Sequence, residues 1–327
     1  MANIREIARL AGVSVSTVSR VLNNHPYVSE QKRAEIMRII KERNYVQNSN
    51  AVHLSTGKTM VVGVTLPLVN NQYYSSIIEG IAAEAARHQY NLMVCQTNNS
   101  SEQEQSILRL LKNKKMDGLI MCSRANGCET IDEYAQYGPI ITCEANETAF
   151  VSSVHIDHYE TFRIGMDYLL GKGHRKIGYC IGRTNSFNSQ HRKRAYHDRL
   201  RSVGVTPAPE WAFENCLTVQ DGKDIAQRIG QMEERARPSA LIVSCNHIAA
   251  GIVKEAGRLG LCIPDDLAII GCDDQPVGEL LEITTVSSPS SLMGQYAFEM
   301  LYDRIIHQRK EKEVRELPPL LVERRTT

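Results

Sequence analysis

The sequence lacks most of what an enzyme, a secreted domain or a membrane protein needs. No CxxC pair occurs among its nine cysteines (95, 122, 128, 143, 180, 216, 245, 262 and 272), so neither a zinc ribbon nor a dithiol motif is written into it. Most of these cysteines sit inside apolar runs such as GLIMC and LIVSC, which predicts buried, reduced thiols. No apolar run approaches the ~20 residues of a membrane span, and no basic-apolar-small leader opens the chain. A cytoplasmic protein with no membrane partner is therefore expected. Catalytic signatures are missing as well: there is no P-loop, HExxH or GxSxG. TLPLVNN follows the first apolar run, where a dinucleotide fold would carry GxGxxG. GKGHRKIG (171–178) has glycines and cations but not the P-loop spacing, and it precedes a strand, so it reads as a helix end and turn. Neither catalytic residues nor a cofactor nor a metal site is expected. Aromatics make up only 6%, and the single tryptophan, Trp211, sits between elements with no assignable role.

What is present is an ordinary globular composition, 42% hydrophobic and 23% charged over 327 residues, long enough for two or three domains. The net charge of +1 hides an asymmetry. Residues 1–58 hold nine Lys and Arg against four Glu, whereas the remainder holds 29 basic against 33 acidic residues. A basic first unit on a mildly acidic body suggests that only the first unit meets a polyanion.

That unit carries three short helical patterns. Ile4, Ile7, Ala8 and Ala11 share one helix face, with Asn3 as cap and Glu6 three residues on. Gly12 ends the pattern, and Ser14 stands where the next cap belongs. On the second helix Val18, Val21 and Leu22 form a stripe, while Ser16, Thr17, Ser19 and Arg20 fall on the opposite face and Val15 on its border. Ser29 caps a third helix, about residues 30–43, with Ala34, Met37 and Ile40 expected inward. Ser and Thr are mediocre helix formers, so their concentration on one face calls for another purpose. A tight glycine turn between two short helices is the helix-turn-helix arrangement, in which small hydroxyls let a helix approach DNA closely and arginine reaches guanine. The same spacing also describes a small bundle with a solvated face.

The stretch IREIARLAGVSVSTVSRVLNNHPYVSEQKRAEIMRIIKERNY (4–45) resembles the DNA-binding domain of the lactose/galactose repressor (LacI/GalR) family, through IA..AGVS..TVSRVLN, VSE..R and the closing Tyr45. The resemblance implies that Val15 and Ser16 select the operator and that Thr17, Ser19, Arg20 and Asn23 contact bases or phosphates. Asn3, Ser14 and Tyr45 complete the set. It further implies a hinge helix over residues 48–55 in VQNSNAVHLSTGKT, with Asn48 and Ala51 at DNA and Leu54 wedged into the minor groove. A helix this short is unstable alone and needs a partner. Gln47 stands where the family usually has Pro, and Ser49 and Asn50 where a basic residue is common, which implies a softer entry and fewer phosphate contacts.

From Met60 onward apolar β-rich runs alternate with helical patterns. The strands expected are 60–67, 91–97, 118–123, 140–144 and 154–157, then 176–182, 216–219, 240–245, 267–273 and 284–288. Helices are expected at 75–88, 103–113, 158–171, 190–203, 247–259 and 291–306. Near-continuous apolar strands between helices indicate buried parallel sheets, and two series indicate two similar α/β halves with a cleft between them. Ligands in such sheets lie at the carboxyl ends of strands.

The resemblance covers almost the whole chain, through DHYETFRIGMDYLLGKGHRKIGY (157–179), PSALIVSCNHIAAGIVKEAGRLGLCIPDDLAIIGCDD (238–274) and LEITTVSSPSSLMGQYAFEML (281–301). It implies an α/β chain in which an all-α helix-turn-helix domain (1–46) and a hinge (47–58) precede a periplasmic-binding-protein-like Rossmannoid effector domain (59–327). The two subdomains of that effector domain are about 59–157 with 289–315, and about 158–288 with 316–327. Asp273, Arg192 and Asn246 match frequent pocket positions, while His247 replaces the usual Asp, which widens the effector class from neutral sugars to phosphorylated ones. Asp157 is a pocket or hinge residue, and Tyr73 with Tyr74 could stack on a sugar or serve packing. The segment CSRANGCETIDEYAQYGPIITCE is similar to the catabolite-control branch of Gram-positive bacteria, in which a phosphorylated phosphocarrier protein acts as corepressor. Glu299, however, stands where a basic residue would dock that phosphate, and Ser291 and Leu292 depart as well. The leading expectation is a homodimeric repressor that binds a pseudo-palindromic operator and answers to a sugar or sugar phosphate. The alternatives are a phosphocarrier-dependent regulator, a sugar-binding transport protein, or an enzyme with a regulatory head.

Overall fold

The structure, a computed structural model, describes residues 3–22, 25–46, 57–309 and 311–327. Two compact units divide the chain, Met1–Thr59 and Met60–Thr327. In the first, α1 (Ile4–Leu10), α2 (Val15–Leu22) and α3 (Glu30–Glu42) pack around Ile7, Ala8, Val18, Val21, Ile36 and Ile39. Local chemistry sets the boundaries. Asn3 Oδ1 accepts the Glu6 amide at 3.0 Å, Gly12 takes φ +63°, and Ser14 Oγ accepts the Thr17 amide at 3.2 Å. The inward face of α3 differs from expectation: Ile36 and Ile39 are buried and Ile40 half-buried, whereas Ala34 and Met37 are exposed. Arg33 explains the rotation. Its guanidinium donates to the Val21 carbonyl (3.4 Å) and the His25 carbonyl (2.7 Å), which turns the bulkier isoleucines toward α1 and α2.

The second unit repeats one α/β theme twice. The elements β1 (Val61–Leu66), α4 (Gln72–Arg87), β2 (Asn91–Gln96), α5 (Ser101–Lys112), β3 (Gly118–Met121), α6 (Cys128–Tyr134), β4 (Ile140–Thr142) and β5 (Ser152–Ile156) build the first half. The chain then crosses into α7 (His158–Gly171), β6 (Ile177–Cys180), α8 (Phe187–Ser202), β7 (Ala212–Phe213), α9 (Val219–Gln231), β8 (Ala240–Val243), α10 (Asn246–Arg258), β9 (Ala268–Cys272), α11 (Pro276–Leu280) and β10 (Thr284–Ser287). It returns for α12 (Ser290–His307) and β11 (Val314–Leu317), and crosses a third time to β12 (Leu320–Val322). The sheets run β11-β5-β4-β3-β1-β2 and β12-β10-β9-β8-β6-β7. Every neighbouring pair is parallel except β10 with β12. The parallel order brings the carboxyl ends of β1, β3, β6, β8 and β9 toward the switch points, where ligands of open α/β sheets bind.

Several expectations are corrected. Residues 216–219 form no strand; Thr218 caps α9 in a reciprocal box with Asp221, and the strand paired to β6 is Ala212–Phe213. Helix α9 was not anticipated; within it Gly222 permits close packing against α10. Helices α6 and α11 and strands β11 and β12 were not anticipated either. In the first sheet β11 runs to Leu317, and the last crossover follows it.

Glycines set the closest helix approach in each half. A Cβ on Gly80 of α4 would collide with the Ser291 carbonyl of α12, and one on Gly294 with the Ile77 carbonyl. In the other half a Cβ on Gly222 of α9 would meet the Ile248 carbonyl of α10, and one on Gly251 the Val219 carbonyl. Backbone-to-backbone packing at these crossings leaves no slack. Among the described residues no helix is long and apolar enough to cross a membrane.

Candidate functional site

Two sites emerge, one in each unit. On α2, Val18 and Val21 are buried, while Ser14, Val15, Ser16 and Arg20 are exposed and Thr17 and Ser19 half-buried. The Ser14 hydroxyl lies 2.7 Å from that of Ser16 and 2.9 Å from that of Thr17. The first turn of α2 thus presents a cluster of hydroxyls and helix-start amides, a donor-rich surface suited to anions. Asn3 is exposed, and Tyr45 is half-buried against the helical core. The remaining expected contacts, Asn23, Asn48, Ala51 and Leu54, lie outside the described residues.

In the second unit a cavity of about 120 Å³ opens between the carboxyl ends of the two sheets. Tyr73, Tyr74, Ser123 and Glu144 of the first half face His158, Arg183, Asn188, Arg192, His247 and Asp273 of the second. Asp273 follows β9 at φ +79°, with Asp274 at +46°, a left-handed pair that non-glycine residues rarely adopt. Its amide is pinned to the Val286 carbonyl at 3.0 Å. The carboxylate Oδ1 is buried with no partner among the described residues, and so is Nε of Arg192. Burial pushes the Asp273 carboxyl up to about 6, opposed by the nearby Arg192 charge. Arg192 Nη2 lies 3.1 Å from His158 Nδ1, and its guanidinium lies 5.9 Å from the Phe162 ring centre. Burial first, then the Arg192 charge, holds the His158 imidazole well below the usual range. The ring is therefore neutral, and its Nδ1 accepts from Arg192.

Glu144 was missed by sequence reasoning. It accepts from Ser123 Oγ (2.8 Å) and from the Arg124 amide (3.1 Å) and Nε (3.4 Å). Asn188 Nδ2 reaches it at 3.3 Å from the opposite half. Burial pushes its carboxyl up, and Arg124 opposes the shift. The available signal was its place at the carboxyl end of the apolar run IITCE. Tyr73 and Tyr74 pack edge to face at 5.2 Å, and burial pushes both phenols up, Tyr73 also through the Asp273 charge across the cleft. His247 donates its amide to Gln275 Oε1 (3.1 Å), and its Nε2 lies 3.0 Å from the Leu217 carbonyl.

Two expected pocket residues are not brought to the cavity. The Asp157 carboxylate caps α7, accepting the amides of Tyr159 (2.8 Å) and Glu160 (3.3 Å). Asn246 is fully buried as the first residue of α10, where its Oδ1 accepts from Thr285 Oγ1 at 2.9 Å and its side chain fills space beside Gly271 and Gly278. One residue on a helix turns the side chain by about 100°, so His247 faces the cleft and Asn246 does not. No group of three or more His, Cys, Asp or Glu among the described residues could hold a metal.

Comparison with known proteins follows the same division. The model of bacterial regulatory proteins of the lacI family matches residues 3–48, and a periplasmic binding protein-like domain matches residues 166–327. The HTH-type transcriptional regulator YkvZ of Bacillus subtilis is 40% identical over 326 residues, covering 100% of both chains. Catabolite control protein B of the same organism is 34% identical over 319 residues, 95% of this chain and 100% of that one. The Lac repressor dimer bound to operator and the anti-inducer ONPF shares the fold, with a TM-score of 0.86 at 24% identity, covering 100% of this chain and 99% of that one. A Lactobacillus casei regulator with bound glucose shares it at a TM-score of 0.75 and 24% identity, over 82% of this chain and 99% of that one. With a helix-turn-helix unit ahead of a two-sheet cleft and a full-length relative at 40% identity, the chain belongs to the LacI family and is a transcriptional regulator, not an enzyme.

Proposed function

We propose that this regulator is a homodimeric, sequence-specific repressor whose operator affinity is set by a compact polyhydroxylated effector in the cleft. The observation that carries the effector reading is the pair of buried, unpartnered atoms, Asp273 Oδ1 and Arg192 Nε. Buried polar groups are almost always satisfied, so an acceptor and a donor beside one cavity mark where a ligand completes the bonding. A hydroxyl can give to the first and another oxygen can accept from the second. A cavity of about 120 Å³ suits a monosaccharide better than an oligosaccharide. Glu299 is exposed on α12, and its carboxylate repels the phosphate of a phosphocarrier corepressor, so that partner gains no support. Different effector affinity in the DNA-bound and free forms would couple the two sites by about 1–3 kcal/mol.

For DNA, the exposed hydroxyl-and-arginine face of α2 enters the major groove, with Ser14, Thr17 and Ser19 at phosphates or base edges and Arg20 on guanine. Binding to sites selected from a random DNA pool is expected to show a steep salt slope. Arg20→Ala is expected to lose about 1–3 kcal/mol of discrimination at one base pair per half-site. An unchanged preference at every position of an operator panel would remove Arg20 from the interface, and salt-independent binding would remove DNA contact altogether.

A further inference from the structure

Three thiols meet at the wall of the cleft. Cys180 ends β6, Cys216 follows β7, and Cys245 precedes α10. Cys216 and Cys245 line the cavity, whereas Cys180 is fully buried behind it. The Cys216 amide donates to the Ile181 carbonyl at 3.1 Å, so the backbones carrying Cys180 and Cys216 run side by side. Both side chains belong to one apolar cluster. Cys216 in turn donates to the Glu214 carbonyl at 3.5 Å.

We propose that Cys216 and Cys180 form a peroxide-reactive thiol pair in the cleft wall, with Cys216 as the attacking sulfur and Cys180 as the resolving one. Cys216 is the member that a small oxidant reaches from the cleft, and Cys180, sealed behind it, reacts with nothing but its neighbour. The neighbouring Cys180 thiol holds the Cys216 thiol below its ordinary range, which favours the nucleophilic thiolate. Burial pushes Cys245 up to about 12, so it stays a thiol. Cys122 and Cys143 form a comparable pair in the first half, but both are buried away from the cavity lining.

The chemistry balances as two steps. The Cys216 thiolate attacks one peroxide oxygen and the O–O bond breaks, leaving a sulfenic acid and a hydroxide that takes the displaced proton to become water. Cys180 then attacks the sulfenic sulfur, an S–S bond forms, and the sulfenic oxygen leaves as a second water. Two thiols are oxidised and one peroxide is reduced; a dithiol reductant reverses the change. Joining the two sulfurs at about 2.05 Å pulls residues 214–218 toward β6. Those residues carry Leu217, whose carbonyl faces His247 in the cleft. Only this effect on ligand binding rests on the effector reading above.

The test uses the full-length protein treated with hydrogen peroxide, alkylated after denaturation and analysed by peptide mass spectrometry. The expected result is a Cys180–Cys216 linked peptide and a several-fold fall in Cys180 alkylation, reversed by dithiothreitol. Cys180→Ser is expected to stop the reaction at a dimedone-trappable sulfenic acid on Cys216. Oxidation confined to the exposed Cys262, with Cys180 and Cys216 still fully alkylated, would overturn the proposal, and so would a link between Cys122 and Cys143 formed first. The principal measurement is made on the unsubstituted protein, so a variant that fails to fold does not remove the test. A sugar titration on reduced protein reads the effector site separately.

Discussion

Asp273→Asn is expected to weaken effector binding roughly tenfold to a hundredfold while leaving operator binding of the ligand-free protein intact, and to make the protein more stable above pH 6. The second effect follows from burial. The carboxyl is held at about 6 in the folded protein against roughly 3.9 in an unfolded chain. Between those values the folded state binds the proton more tightly, so stability falls as pH rises from about 4 through 6 and then levels off. Asparagine has no proton to lose. The advantage of the variant is therefore absent at pH 4, grows through pH 6 and reaches at most ~2–3 kcal/mol. Thermal unfolding of both proteins at pH 4, 6 and 7.5 reads this directly, and an equal difference at all three pH values would show that Asp273 does not titrate there. The first effect follows from the unpartnered Oδ1. Loss of a charged acceptor for ligand hydroxyls costs about 1.5–3 kcal/mol per bond, or roughly tenfold to a hundredfold in affinity. Calorimetry with a panel of aldohexoses and aldopentoses measures it; a variant that binds a sugar as tightly as the parent would move the pocket elsewhere.

Gly251→Ala is expected to destabilise the effector unit by about 3 kcal/mol, the upper range for overpacking. The added methyl meets the Val219 carbonyl of the facing helix, not a side chain that can swing aside, so α9 and α10 must separate along their contact. Gly294→Ala, against the Ile77 carbonyl, is expected to do the same in the other half. Gly171→Ala is the control: nothing lies near its Cβ position, and alanine suits the end of α7 better than glycine does. Urea unfolding of the three variants decides the matter. A loss below about 1 kcal/mol at Gly251 would mean that the helices relax freely and that the crossing is not tightly packed.

These residues also show how far the sequence could be read. The spacing of Ile7, Ala8, Val18 and Val21 follows the helical period closely enough to place both helices and the exposed face between them. Apolar runs such as IIT and ALIV mark buried parallel strands, because a strand covered on both faces has no polar alternation to blur it. The same logic failed at residues 216–219, where Cys, Leu, Thr and Val have strand composition but Thr218 caps a helix. It also failed to see α9, within which Gly222 permits close packing against α10. In the cleft, Asp273, Arg192 and His247 were indicated by the family resemblance and Tyr73 by its place after the first strand, while Glu144, Asn188 and His158 were not.

Local pattern alone determined the three-helix unit, the alternation of strand and helix, and the charge contrast between the basic first sixty residues and the rest. It could do so because periodicity and capping act within a few residues. The tertiary structure decided which neighbour on a helix faces the cleft: His247 enters it, while Asn246 is spent on Thr285, and Asp157 is used as the cap of α7. It also decided that Asp273 and Arg192 stand beside one cavity with atoms left unbonded. Burial and hydrogen-bond satisfaction depend on segments far apart in the chain, and only their packing brings those segments together.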